Sequence, residues 1–289
     1  MSTLVAAMAV AHVPSHTAYP ELAPADQLKR ITAAWSSLRA KLAAAQPDIV
    51  VAISNDHFQN FFPVQPAFCV GTGEAYDMPG KAYAQRLKLE TRSVAGSPAF
   101  AEHLLKVADD CRMPLAFSDD LTFNDEFSIP QRFLDPDNRM AWLPILTNCL
   151  NRNRPSPRTF FALGEVLAKA TARDDAGRRV AVIATGGLSH DPLGPNWCLV
   201  DEAFDRRFLA LLESGDTDAL FAEFTPERIL EPGKGGTPET LNWFAALGAV
   251  GAGARAEILC YEPVPAWATG VAYASWPLAG ATSSQRPAA

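Results

Sequence analysis

The sequence carries no basic block. Its 289 residues hold 25 Lys and Arg against 32 Asp and Glu, a net charge of -7 with a pI near 5.3. A nucleic-acid binder needs clustered positive charge to displace counterions, so that class is set aside. Long hydrophobic runs are missing as well. No window reaches the roughly 20 apolar residues of a membrane span, and no basic region precedes the apolar start, which leads us to expect a cytoplasmic protein with no membrane partner. Cysteine is sparse: Cys69, Cys111, Cys149, Cys198 and Cys260 are scattered, odd in number and without a C-x-x-C pair. That fits reduced thiols and argues against a disulfide framework or a zinc-thiolate site. A phosphate cradle is also lacking. Gly71 and Gly73 in GTGEAYDMPG are followed by no lysine and no full glycine-rich pattern, so the stretch reads as a loop.

Histidine is scarce too, only five residues, yet three of them follow strand-like runs. In DIVVAISNDHFQNFF the β-branched stretch Ile49 to Ile53 is too short for a helix, reads as a buried strand of a parallel sheet, and ends in Asn55, Asp56 and His57. LVAAMAVAHVPSH runs into His12 in the same way, and VAVIATGGLSH passes through Gly186 and Gly187 to His190. In open α/β sheets the carboxyl ends of the strands are where ligands bind, so polar residues there draw notice.

Between these strands the pattern alternates. Leu28, Ile31, Trp35, Leu38 and Leu42 fall at helical spacing between Pro24 and Ala45 and give the chain a βαβ opening. AFCV reads as a further strand, SPAFAEHLLKVADDC as a helix in which His103 is a partly exposed helix residue, and LAFSDDLTFNDEFSIPQRFL as a polar, acidic loop. Trp142 to Asn148 is expected as a strand, Pro157 to Ala172 as a helix, Arg179 to Thr185 as a strand and Asp201 to Phe224 as helical. After the turn EPGKGG, the helix TPETLNWFAALGAVG starts with Thr237 as N-cap, Pro238 in its first position and Glu239 in its first turn. Ile258 to Tyr261 and Val271 to Trp276 close the chain as strands. The expectation is an α/β fold, a mixed central sheet flanked by helices with the active-site cleft at strand ends, in one domain over residues 1–282 with a disordered tail over 283–289.

Two strand-end histidines and a carboxylate at a helix start are the ingredients of a facial triad, which leaves one side of a metal ion open. Singly, each has a plainer reading: a glutamate in a first turn suits the helix dipole, and a histidine near a strand end is commonly just hydrogen-bonded. Their joint occurrence with AVAHVPS, DIVVAISNDHFQNFF, ATGGLSHDP and GKGGTPETLNW, in that order, resembles the class III extradiol ring-cleaving dioxygenases over nearly the whole chain. The resemblance implies Fe(II) held by His12, His57 and Glu239. It makes His190 the acid/base beside a catechol-type substrate, such as protocatechuate, gallate, a substituted catechol or an aminophenol, that is cleaved with O2. Where several members carry a second histidine in a D-H-x-F-like stretch, FNDEFSIP places Asp125, either as a base or substrate contact in the pocket or as an exposed loop residue. Relatives are multimers of one subunit or pair with a small α subunit, so a homo-oligomer is expected, with such a subunit as the alternative. The rival readings are a metal-dependent hydrolase or lyase on the same triad and a metal-binding relative without turnover.

Overall fold

A computed structural model describes residues 1–192 and 194–278. The expected tail over 283–289 lies outside them. In chain order the elements are β1 (Thr3–Val10), α1 (Pro14–Ala18), a 3-10 turn at Pro20–Leu22, α2 (Ala25–Ala45), β2 (Ile49–Asn55), β3 (Phe68–Gly71), β4 (Ala75–Met78), α3 (Lys81–Leu87), β5 (Arg92–Ala95) and α4 (Pro98–Asp110). Next come β6 (Ala116–Ser118), α5 (Asp125–Leu134), β7 (Ala141–Thr147), α6 (Pro157–Arg173), β8 (Arg179–Thr185), α7 (Glu202–Ser214), α8 (Thr217–Glu223) and α9 (Pro226–Ile229). A 3-10 turn at Thr237–Thr240 leads into α10 (Leu241–Val250), and β9 (Glu257–Val264), a 3-10 turn at Pro265–Trp267 and β10 (Thr269–Trp276) end the fold.

Eight strands form one mixed sheet in the order β6-β3-β7-β2-β8-β1-β10-β9. The four central strands β7, β2, β8 and β1 run parallel, and antiparallel pairing begins at β3 on one side and β10 on the other. Both faces of the centre are covered, which explains why β1, β2 and β8 read as unbroken apolar runs. Alternate residues serve the two cores: Ile49, Val51 and Ile53 join the side packed by α4, α6, α7 and α10. Val50 and Ala52 join the side packed by α2 and α5. The βαβ opening skips a position, because β8 lies between β1 and β2. That insertion brings the carboxyl ends of β1, β2 and β8 side by side.

Three expectations need correction. The acidic segment read as a loop contains β6 and the helix α5, whose residues Asp125 to Gln131 are all buried. Its helical spacing, Phe127, Pro130, Gln131 and Leu134, is masked by the proline inside it and by polar side chains that face inward. GTGEAYDMPG is not wholly a loop, since Ala75–Met78 pairs with Arg92–Ala95 as a separate hairpin and α3 follows. The helix expected from Asp201 to Phe224 is two helices broken at Gly215, whose φ of 75° lies in the left-handed region. Among the described residues no helix is long and apolar enough to cross a membrane.

Candidate metal centre

His12 and His57 each sit two residues beyond a strand end, and Glu239 lies in the 3-10 turn that opens α10. Their ligand atoms come together within 4.8 Å of one another. His12 Nε2 is 3.4 Å from Glu239 Oε2, and His57 Nε2 is 3.3 Å from Glu239 Oε1. Donors held about 2.1 Å from one ion at 90 to 110° stand about 3.0 to 3.4 Å apart, so these spacings fit a shared divalent cation. Two imidazoles and one carboxylate are the donor set of a facial triad with open positions.

Each imidazole is held by its other nitrogen. His12 Nδ1 lies 2.9 Å from Thr185 Oγ1, which is also hydrogen-bonded to Ser54 Oγ at 2.6 Å and to the Glu126 carbonyl at 3.0 Å. The hydroxyl has a single proton to give, so His12 Nδ1–H donates to it and Nε2 is left bare toward Glu239. His190 follows the same rule: its Nδ1 is 2.9 Å from the Leu188 carbonyl, an acceptor only, and its Nε2 turns inward to 3.7 Å from Glu239 Oε2. His57 Nδ1 faces carboxylates instead, Glu126 Oε2 at 3.5 Å and Asp125 Oδ1 at 3.7 Å.

Glu239 is 3% exposed and receives a hydrogen bond from Asn55 Nδ2 at 3.2 Å and one from the Gly187 amide at 2.9 Å. The two glycine pairs of the sequence are explained by this packing. Gly186 has a φ of 147°, and a Cβ there would lie 2.7 Å from that of Glu239; a Cβ on Gly236 would lie 2.1 Å from His190 Nε2. Thr237, expected as an N-cap, is not one. The cap position is Gly236, and the Thr237 hydroxyl accepts from the His190 amide at 3.1 Å and donates to its carbonyl at 3.0 Å. Asp205 secures the same turn, accepting from the Ser189 amide and hydroxyl at 2.8 Å each and from the Tyr261 hydroxyl at 2.9 Å. Burial pushes its carboxyl up to about 6.

Charge shapes the cluster. Burial would raise Glu239, but the surrounding His12, His190 and His57 hold it well below the ordinary carboxylate value. Burial drives His12 down to about 4 against the pull of Glu239. His57 would be lowered by burial, yet Asp125, Glu126 and Glu239 carry it well above the usual histidine value. Three carboxylates thus surround the two histidines and call for positive charge. Asp125 is 3% exposed, which removes the reading of it as a surface loop residue, and its Oδ1 has no hydrogen-bond partner. Burial raises its carboxyl. A buried unpartnered oxygen beside a carboxylate–imidazole donor set fits a site built around a cation and a further ligand.

Residues 6–272 match the family described as the catalytic LigB subunit of aromatic ring-opening dioxygenase. The chain belongs to that family. It is 26% identical to the 2,3-dihydroxyphenylpropionate/2,3-dihydroxicinnamic acid 1,2-dioxygenase of Klebsiella pneumoniae strain 342, over 90% of this chain and 95% of the relative. The protein of the same name from Cupriavidus necator is 25% identical over 91% of this chain and 95% of its own length. Among solved structures, an uncharacterized protein from Escherichia coli K12 superposes with a TM-score of 0.57 at 15% identity, covering 84% of this chain and 91% of the other, a likeness of fold.

The structure therefore brings together His12, His57, Glu239, His190 and Asp125, all five residues singled out in the sequence. Sequence reasoning missed Asn55, Thr185 and Glu126. Asn55 stood in the N-D-H run and Glu126 beside Asp125, so adjacency to a strand-end histidine and to a displaced family residue was the available signal. Thr185 carried a weaker one, as the last residue of a strand that delivers a histidine turn.

Proposed function

We propose that the chain opens the ring of a catechol-type substrate with O2 at a ferrous ion held by His12, His57 and Glu239. Held by His12, His57 and Glu239, a ferrous ion would supply the one-electron chemistry that lets a diol react with O2. The observation that carries the reading is the inward turn of three Nε2 atoms around the single carboxylate of Glu239. Membership of a ring-opening dioxygenase family supports the reaction class, and the donor set supports the metal.

Each of the chain's own residues has a task in this reading. His12 and His57 give bare Nε2 lone pairs to the metal, and Glu239 gives a carboxylate held open by Asn55 and the Gly187 amide. His190 is fixed by the Leu188 carbonyl and by Thr237, with Nε2 free to take a proton from the substrate hydroxyl and return it to the opening ring. Asp125, with an unpartnered Oδ1, accepts a hydrogen bond from a donor group on the ring or serves as a base. Phe58 and Phe62 stand exposed just past His57, an apolar rim that suits coverage by a second subunit in a homo-oligomer.

Anaerobic loading with Fe(II), followed by oxygen-electrode traces with protocatechuate, gallate, a substituted catechol and 2-aminophenol, tests the proposal. O2 uptake with at least one of them is the expected result, and His190→Ala should keep its iron while losing about two to four orders of magnitude in turnover. Turnover of an ester or a carbon–carbon bond without O2 uptake would replace the reading with a hydrolase or lyase. Metal binding with no turnover of any kind would leave a non-catalytic relative.

A further inference from the structure

We infer that Glu126 is the positioning residue for His57: its carboxylate fixes the imidazole through Nδ1 and so aims Nε2 at the metal. The inference rests on the reading of His57 as a ligand. Glu126 is completely buried, and His57 is the only basic side chain within 4.0 Å of its carboxylate among the described residues. A carboxyl group sealed from water with so few partners is costly to bury unless a donor shares it. The imidazole on the metal is the group that does so.

The carboxylate is itself immobile. Both of its oxygens accept from the Asn124 amide, at 3.0 and 3.1 Å, so the first turn of α5 holds the side chain against its own helix start. That helix start is tied to the sheet, because Thr185 Oγ1 donates to the Glu126 carbonyl at 3.0 Å. The same hydroxyl receives His12 Nδ1. One short network thus supports both histidine ligands, through a neutral hydroxyl on one and a carboxylate on the other.

Asp125 does not compete for the task. Its Oδ2 turns toward His12 Nε2, the metal-facing nitrogen, at 3.9 Å, and its Oδ1 approaches His57 Nδ1 only to 3.7 Å without a hydrogen bond. Glu126 lies nearer His57 Nδ1, at 3.5 Å against 3.7 Å, and has both oxygens fixed. An Nδ1–H donated to a carboxylate fixes the tautomer, restrains the ring and makes Nε2 a stronger donor to a metal.

Cobalt(II) titration of the metal-free, full-length protein tests this, with the visible absorption of bound cobalt as a second readout and circular dichroism as a check on folding. Glu126→Ala should weaken cobalt binding about 10- to 100-fold and alter the cobalt spectrum. Glu126→Gln keeps an acceptor for Nδ1–H and should recover most of the lost affinity. If the alanine variant does not fold, the near-isosteric Glu126→Met takes its place, and wild-type affinity with a wild-type cobalt spectrum in that variant overturns the inference. Wild-type affinity in Glu126→Ala, with His57→Ala unable to bind, overturns the role of Glu126 and leaves the ligand assignment standing. Full affinity in His57→Ala overturns the ligand assignment itself. Two cobalt ions per wild-type chain, one of them lost in Glu126→Ala, would make Glu126 a ligand of a second ion and overturn the inference.

Discussion

His12 and His16 lie one helical turn apart in sequence, are 5% and 7% exposed, and are both pushed down to about 4 by burial. Their surroundings have nothing else in common. His12 looks toward two carboxylates, Asp125 and Glu239, and is held by a threonine hydroxyl. His16 lies in an aromatic box, stacked on Phe133 at 4.6 Å, beside Trp267, with its Nδ1 accepting from the Trp35 indole at 3.2 Å. Burial and titration alone do not separate a ligand from a core histidine. What the ring faces does: a bare Nε2 turned to a carboxylate in one case, stacked aromatic rings and an indole donor in the other.

Replacing each histidine should break the pair in opposite ways. His12→Ala is expected to lose more than about a hundredfold in metal affinity, beyond the usual cost of removing a supporting residue, and to lose turnover with it. Anaerobic metal titration checks this, and unchanged affinity would remove His12 from the ligand set. His16→Ala should keep wild-type metal affinity and instead lose about 4 kcal/mol of stability, the sum of a cavity among rings and an unpaired Trp35 N–H. Urea unfolding of the metal-free proteins reads that loss directly. A weakened metal site with unchanged stability would place His16 in the wrong region.

The contrast extends to pH. His16 has its folded pKa near 4, below the ordinary 6.5, so the unfolded chain takes the proton first as pH falls. Its neutral form therefore stabilises the fold fully above pH 6.5, and that contribution is lost progressively toward pH 4. Relative to His16→Gln, the wild type should forfeit roughly 3 kcal/mol between pH 7.5 and pH 4. Parallel unfolding curves for the two proteins across this range would show that His16 does not titrate as a buried neutral group. Asp205, raised to about 6, works in the opposite sense and weakens the fold as pH rises from about 4 to 6, which is why the comparison is made between variants and not on the wild type alone.

How much of this could be read in the sequence follows from the same residues. The strands that carry His12, His57 and His190 were legible because a parallel centre buried on both faces needs continuous apolar runs, and these end in abrupt polar clusters. Glu239 was legible only through family likeness, since a glutamate after Thr237 and Pro238 looks like any helix start. The helix α5 was hidden: Asp125, Glu126, Ser128 and Gln131 are buried polar residues, and Pro130 sits inside the helix, so both the apolar stripe and the propensity signal fail there. Thr237 misled in the other direction. Its side chain suits a cap, yet tertiary contact with His190 claims it. Local rules failed where the chain serves the site.

The proposal that the chain opens a catechol-type ring with O2, which as a dioxygenase reaction places both oxygen atoms in the product, is tested most directly by one turnover of the Fe(II)-loaded protein under 18O2, with the product analysed by mass spectrometry before its oxygens exchange with water. The expected product is a ring-opened acid carrying both labelled atoms. A product bearing label from water alone, or an intact ring oxidised to a quinone, would contradict it.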